Sequence, residues 1–96
     1  MQKQADIQIQ DDQFLLTGEL SFFNVMSVYE KSLLLLSQHP EFHFNFSKLI
    51  SSDSSALALI IEWVKFAKIQ NKKIHFHFLP EKILSIARVS KLENLI

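Results

Sequence analysis

Residues 41–79 read EFHFNFSKLISSDSSALALIIEWVKFAKIQNKKIHFHFL, and this stretch decides the fold. Apolar and polar residues alternate at 42–47 and again at 74–78, a period of two that predicts two strands with one buried face each. Between them, the polar run 51–55 and the apolar residues after it predict a helix to about Gln70, closed by Asn71. Such a strand–helix–strand unit predicts two parallel strands joined by a right-handed crossover.

The residues before this stretch predict a hairpin. Residues 6–10 alternate between polar and apolar, Asp11 and Asp12 favour a turn, and an apolar run resumes at 14–17. We expect the second strand to end at Gly18, where the backbone needs conformational freedom.

Two further helices are predicted. Asn24 is a candidate N-cap for a helix that runs to about Gln38. The buried stripe of this helix would comprise Met26, Tyr29, Leu33 and Leu36. Pro80 pre-sets the first turn of a last helix, from Glu81 to about Ser90. The tail after it would pack against the core through Leu92, Leu95 and Ile96.

This order of elements predicts an α/β fold and a single domain over residues 1–96. The fold would have a four-stranded mixed β-sheet with about three α-helices packed mainly on one face. The other face would be polar, because strand alternation places a second set of residues opposite the phenylalanines. That set is His43, Asn45, His75 and His77.

The composition excludes several classes of function. Ten basic and ten acidic residues cancel, which argues against binding to nucleic acid or an anionic membrane, since both need a basic field. The chain has no cysteine for disulfide or thiolate chemistry and a single glycine, too few for a phosphate-binding loop. The N-terminal segment is polar and every apolar run is far too short to span a bilayer. We therefore expect a cytoplasmic protein without direct membrane insertion.

We expect no catalytic residues, no metal and no cofactor. His75 and His77 share a strand face, but no cysteine joins them and no carboxylate lies at ligand spacing in that strand. Serine, histidine and aspartate are present, yet there is no Gly-x-Ser-x-Gly elbow and no glycine for an oxyanion loop. The histidines are therefore interpreted as residues of a solvated sheet face.

The central helix carries apolar residues on more than one side. Winding it at roughly 100° per residue gives a core face. That face comprises Leu57, Ile60, Trp63, Val64 and Ala67. Leu59, Phe66 and Ile69 fall away from it, which leaves two alternatives: a protein interface, or cover by a neighbouring helix or loop.

The polar run 51–55 also has two interpretations. It can simply supply capping side chains for the helix start. Alternatively, it can serve recognition, because the first amides of a helix lack partners and lie at the positive end of its dipole. A hydroxyl or a phosphate at that place is well positioned to be recognised.

Three segments of the sequence resemble STAS domains. Residues 16–20, LTGEL, are similar to the segment that closes the second strand of these domains, and residues 44–49 and 53–57 are similar to their central strand and signature helix start. Asp53, Ser54 and Ser55 resemble the family's Asp-Ser/Thr-Ser/Gly element, in which the hydroxyl residue after the aspartate is regulatory. The resemblance covers about residues 7–96 and implies the STAS-type, SpoIIAA-like fold, with Ser54 at the regulatory position.

Within this family, the sequence resembles the MlaB-like branch. The run ALAL at 56–59 leads to Trp63, and Tyr29 and Glu30 match an aromatic–acidic pair of that branch. The resemblance implies a non-enzymatic subunit that binds and stabilises or regulates the cytoplasmic, MlaF-like ATPase of an inner-membrane ABC transporter. That transporter carries phospholipids and maintains the lipid asymmetry of the outer membrane, and the subunit would meet its permease only through the ATPase. We expect the interface to comprise Asp53, Ser54, Ser55 and Tyr29 at the positions that the resemblance indicates, extended by Leu59 and Phe66 from the far side of the central helix.

A second branch offers an alternative function. In anti-sigma factor antagonists such as SpoIIAA, a partner kinase phosphorylates the serine that corresponds to Ser54. Here Asn45 stands where STAS domains usually carry aspartate, and Ala56 stands where the antagonists have glycine. Alanine stabilises a helix by about 1 kcal/mol relative to glycine, so the helix start should be less plastic. Both departures favour the MlaB-like branch.

Overall fold

The computed structural model describes residues 4–92 and 94 of the 96-residue chain. Its elements follow the order predicted from the sequence. They are β1 Asp6–Gln10, β2 Gln13–Leu20, α1 Val25–Leu36, β3 Glu41–Ser52, α2 Ser55–Ile69, β4 Lys73–His77 and α3 Glu81–Val89. Leu92 is half-buried, whereas Leu95 and Ile96, which we expected in the core, lie outside the described residues.

The four strands form one mixed sheet in the order β1-β2-β3-β4. β1 and β2 are antiparallel, while β3 pairs in parallel with both β2 and β4. The hairpin closes tightly, because Gln10 pairs with Gln13 and the two residues between them have positive φ values, 53° at Asp11 and 62° at Asp12. Two successive positive φ values are the signature of a two-residue type I′ turn.

Gly18 does not end β2, contrary to the sequence prediction. The strand continues to Leu20, and Gly18 lies inside it with a φ of 78°. The pairing of β2 with β3 shifts register twice, between Leu15 and Thr17 and again beside Gly18. A glycine in a strand interior often marks such an irregularity, because it adopts positive φ without a steric penalty.

The core lies between one face of the sheet and the helices. Phe42, Phe44 and Phe46 of β3 are buried, as their alternation predicted. The Phe44 ring stacks on the Trp63 indole of α2 with 3.9 Å between ring centroids. The indole Nε1–H donates a hydrogen bond of 2.8 Å to the Ser32 hydroxyl of α1, which joins the two helices inside the core.

The buried side of α1 differs from the predicted stripe. Val28, Ser32 and Leu36 are buried, whereas Met26 is 63% exposed. The sequence pattern did not reveal this buried side because it includes a polar residue. Ser32 can be buried only because the Trp63 indole of α2 bonds to its hydroxyl. Asn24 precedes the helix as predicted but makes no capping bond. Its side chain bonds instead to the Ser21 amide and the Glu19 carbonyl.

The opposite face of the sheet is polar and open, as the alternation predicted. His43, Asn45, His75 and His77 are all partly exposed there. Over residues 4–92 and 94, no helix is both long and apolar enough to cross a membrane.

Candidate partner-binding surface

Ser54 lies at the start of α2 and is exposed. It occupies the N-cap position, but its hydroxyl makes no capping hydrogen bond. Its carbonyl instead accepts a bond in the first turn of the helix, from the Leu57 amide at 3.2 Å. The hydroxyl of Ser54 therefore projects from the helix start without a structural role inside the domain.

Asp53 supplies the structural cap that the sequence assigned to the whole run 51–55. Its Oδ1 accepts a 2.9 Å bond from the Ser55 amide and a short bond from the Ser55 hydroxyl. Its Oδ2 accepts a 3.0 Å bond from the amide of Phe22, in the loop before α1. The Ser55 hydroxyl, the Phe22 and Ser55 amides and the nearby Lys82 charge lower the pKa of the Asp53 carboxyl.

These bonds separate the roles of the three predicted interface residues. Ser55 is buried and its hydroxyl is bonded to Asp53, so it is not available to a partner. Asp53 is half-buried and holds the loop before α1 against the start of α2. Ser54 is the most exposed of the three and makes no side-chain bond within the capping arrangement, whereas the side chains of the other two are bonded to each other.

Exposed aromatic residues lie in the loop that bonds to Asp53, the residue before Ser54. Phe22 is 77% exposed and Phe23 is 97% exposed, in the loop that Asp53 holds. Met26, in the first turn of α1, is also exposed. Large apolar side chains that cluster on a surface are typical of binding sites, whereas single ones are ordinary. None of these three residues was predicted from the sequence to lie at an interface, and Met26 was predicted to be buried, although two adjacent phenylalanines were a visible signal.

A groove of about 250 Å³ runs between α1 and α2 beside these residues. Its lining comprises Val25, Met26, Tyr29, Ala58, Leu59 and Glu62. Ala58 is one helical turn after Ser54 and therefore lies on the same side of α2. The groove thus continues the surface around Ser54. We call Phe22, Phe23, Met26, Tyr29, Ser54 and Ala58 together the Ser54 surface.

The predicted positions of Leu59 and Phe66 on the solvent side of α2 need correction. Leu59 is only 2% exposed, because α1 packs over it and leaves it at the floor of the groove. Phe66 is half-buried and stacks on Phe42 with 6.0 Å between ring centroids. For both residues the neighbouring elements provide the cover, which was the second alternative left open by the sequence.

A cleft of about 460 Å³, which Phe23 also lines, adjoins Asp53. It lies at the carboxyl ends of β2 and β3 and is lined by residues that include Glu19, Asn24, Ser52 and Lys82. Its lining carries charges of both signs. The cleft therefore has no single-sign field that would select an anion or a cation by charge.

A separate cluster lies on the open face of the sheet. The Glu41 carboxylate oxygen Oε1 is 3.0 Å from His75 Nε2 and 3.6 Å from His43 Nε2. His43 Nδ1 is in turn 3.0 Å from His77 Nε2. Glu41, His43 and His75 place their ligand atoms within 4.8 Å of one another, the arrangement of a candidate metal site.

Comparisons with known proteins agree with this architecture. A family model described as "Mlab, STAS domain" matches residues 4–96. Among solved structures, the anti-sigma factor antagonist SpoIIAA in its unphosphorylated form is similar with a TM-score of 0.71 and 15% sequence identity, over 96% of this chain and 84% of that one. A search of curated protein sequences gave no match. The structural similarity confirms the predicted fold.

Proposed function

The chain belongs to the MlaB-type STAS domain family, and from this membership we propose that it is a subunit that binds an ABC-transporter ATPase. The ATPase is of the MlaF type and serves an inner-membrane transporter of phospholipids that maintains outer-membrane lipid asymmetry. The subunit stabilises or regulates this enzyme in the cytoplasm. It reaches the permease and the membrane only through the ATPase.

The observation that supports this proposal is the Ser54 surface. An exposed hydroxyl at the start of α2 follows Asp53, which bonds to the loop that carries two exposed phenylalanines, and one turn later Ala58 lines the groove together with Tyr29 and Leu59. A small residue allows close approach of a partner, and aromatic anchors supply much of the energy of protein interfaces. Leu59 contributes only as the floor of the groove. Phe66 is not part of the proposed surface, because it packs on Phe42 within the domain.

We propose that the subunit acts by binding and not by catalysis. The carboxylate nearest to Ser54, that of Asp53, already accepts hydrogen bonds from two amides and one hydroxyl. A general base must have a free lone pair directed at the hydroxyl that it activates. The Ser55 hydroxyl and the two amides lower the pKa of the Asp53 carboxyl, which makes it a weak general base. Oδ1 bonds to Ser55 in α2 and Oδ2 bonds to the Phe22 amide, so the carboxylate joins the loop before α1 to the helix start, which suits a surface that is held in shape for a partner.

The alternative function is that of an anti-sigma factor antagonist, which the structural similarity to SpoIIAA favours. Exposure of Ser54 would also make it accessible to a partner kinase, and a phosphate at a helix start is favoured by the dipole. Both functions use the Ser54 surface. They differ in the partner that binds there and in whether Ser54 is modified.

Affinity capture from the native cell, followed by mass spectrometry, distinguishes the two functions. Recovery of an ABC ATPase with its permease supports the proposal, whereas recovery of a kinase of the anti-sigma type supports the alternative. The captured partner is then used to test the surface. Binding of the purified ATPase to each variant is measured by calorimetry.

Ser54→Arg should weaken ATPase binding by more than about 100-fold, because an unpaired charge would be desolvated at a cost of several kcal/mol. Ser54→Ala should cost about 1 kcal/mol, roughly fivefold in affinity, if the hydroxyl makes one neutral hydrogen bond. Ile69→Arg is the matched control. Ile69 is 79% exposed at the other end of the same helix, so arginine there should leave binding unchanged. Equal binding by wild type and Ser54→Arg, with both proteins folded, would remove Ser54 from the interface.

A further inference from the structure

We propose that Glu41, His43 and His75 form a binding site for a transition-metal ion, Zn²⁺, on the open face of the sheet. The site lies at the start of β3, whereas Ser54 follows the end of that strand, so this proposal does not depend on the proposed function. The sequence analysis predicted no metal because it sought a carboxylate within the histidine strand. The carboxylate comes from the neighbouring strand.

Strand register brings the three ligands together. Glu41 and His43 are two residues apart on β3 and therefore lie on the same face. His43 pairs directly with His75 of β4, and Glu41 pairs with Lys73, two residues before His75. Glu41 and His75 are thus diagonal neighbours across two parallel strands. Such neighbours are within reach of each other when the side chains are long.

The distances between the ligand atoms fit a tetrahedral ion. Atoms bound about 2.0–2.1 Å from a tetrahedral zinc lie roughly 3.3–3.4 Å from one another. The two separations from Glu41 Oε1 are 3.0 Å to His75 Nε2 and 3.6 Å to His43 Nε2, one on each side of this value, and all three ligand atoms lie within 4.8 Å of one another. The strands therefore bring the three side chains close to the spacing that the ion requires.

His77 supplies the partner that a ligating histidine normally has. Metal-bound histidines donate their second ring N–H to a hydrogen-bond acceptor, which fixes the tautomer and the orientation of the ring. His43 Nδ1 lies 3.0 Å from His77 Nε2, so a proton on Nδ1 can be donated to His77 while Nε2 faces the ion. The same tautomer satisfies both the metal bond and the hydrogen bond.

The rings have room to turn towards an ion. His43 and His75 are stacked, with 4.4 Å between centroids and 11° between planes. Two parallel rings cannot direct their in-plane lone pairs at one point, so binding requires the His75 ring to rotate about χ2 while the bond to His77 holds His43. The open face permits it, since the side chains are 34% exposed at His43 and 42% exposed at His75.

The donor set selects the class of metal. Two imidazoles and one carboxylate suit zinc and its neighbours in the first transition row, whereas calcium and magnesium prefer oxygen ligands. Three protein ligands leave a fourth position of a tetrahedral ion for water or for a side chain of another molecule. The site therefore provides an exchangeable position on a face that the helices leave uncovered.

The test uses the chain without a polyhistidine tag. Zn²⁺ is titrated by calorimetry, and Co²⁺ is followed by its visible absorption, which is intense for four-coordinate cobalt. We expect one ion per chain. His43→Asn and His75→Asn should each weaken Zn²⁺ binding by more than about 100-fold, and His77→Asn by about 10- to 100-fold, as for partners of a ligating histidine.

His39→Asn is the matched control. His39 is the remaining histidine of the chain and packs edge-on against the buried Phe14, away from the open face, so its replacement should leave zinc affinity unchanged. Zn²⁺ should raise the melting temperature of wild type and His39→Asn but not of His75→Asn, since only a binding-competent native state is stabilised. Glu41→Gln provides a second test at an exposed position. Absence of saturable binding by wild type, or equal binding by wild type and His75→Asn, would overturn the proposal.

Discussion

Replacement of Asp53 by alanine should destabilise the domain, whereas replacement of the adjacent Ser54 should not. Asp53→Ala removes an N-capping carboxylate, a change that usually costs 0.5–2 kcal/mol, roughly 1 kcal/mol on average. It also leaves the buried Ser55 hydroxyl without its acceptor, which adds about 1 kcal/mol, the low end for an unsatisfied group. The Phe22 amide is exposed and will bond to water, so it adds little.

The expected loss is therefore about 2 kcal/mol in the free energy of unfolding, or about 8–16 °C in melting temperature for a domain of this size. Ser54→Ala should stay within about 0.5 kcal/mol of wild type, because its hydroxyl makes no capping bond. Thermal and urea denaturation followed by circular dichroism measure both variants. A Ser54→Ala variant as unstable as Asp53→Ala would refute the division of roles between these two residues.

The same carboxylate gives a pH dependence of known sign. The Ser55 hydroxyl, followed by the amides of Phe22 and Ser55 and the Lys82 charge, lowers the pKa of Asp53 in the folded state. Its contribution to stability is therefore fully present above the unfolded pKa of about 4 and is lost as pH falls through the lower folded pKa. The stability gap between wild type and Asp53→Asn should be constant from neutral pH to about pH 4 and shrink below it. A gap that persists unchanged in stronger acid would contradict this account.

Two further predictions concern the core. Ser32→Ala should destabilise the domain by about 1–3 kcal/mol in urea denaturation, because the buried Trp63 indole N–H loses its acceptor. Adding Trp63→Phe should then cost less than it does in the wild-type background, and strict additivity would argue against the bond. Phe66→Ala should cost about 2 kcal/mol, less than a fully buried phenylalanine, while Ile69→Ala on the same helix should stay within about 0.5 kcal/mol. Equal melting temperatures for Phe66→Ala and Ile69→Ala would show that the Phe66 side chain is exposed and does not pack on Phe42.

The strands and their order were predictable because alternation is a local property of the chain. The buried phenylalanines of β3 alternate with partly exposed residues, and this pattern alone fixes which face of the strand is covered. The hairpin turn was also predictable from the sequence, because two adjacent aspartates tolerate the positive φ values that a type I′ turn requires.

Properties that depend on neighbouring elements were not predictable in this way. Leu59 belongs to the core only because α1 packs over it, and Ser32 is buried only because an indole meets it there. Glu41 and His75 are 34 residues apart in sequence, so their proximity follows from strand register. Phe22 and Phe23 lie in a loop and belong to no helical or strand pattern. Their exposure could therefore not be predicted from periodicity.

The position of Trp63 makes it an intrinsic fluorescent probe of the packing between the helices and the sheet. It is the single tryptophan, and its indole is sealed between the sheet and α1 on the far side of α2 from Ser54. A partner that docks rigidly on the helices will leave its fluorescence spectrum unchanged. A partner that separates α1 from α2 will break the bond between Trp63 and Ser32 and expose the indole to water. The fluorescence emission of Trp63 then shifts to longer wavelength. Unlabelled protein thus distinguishes docking from rearrangement in a single titration.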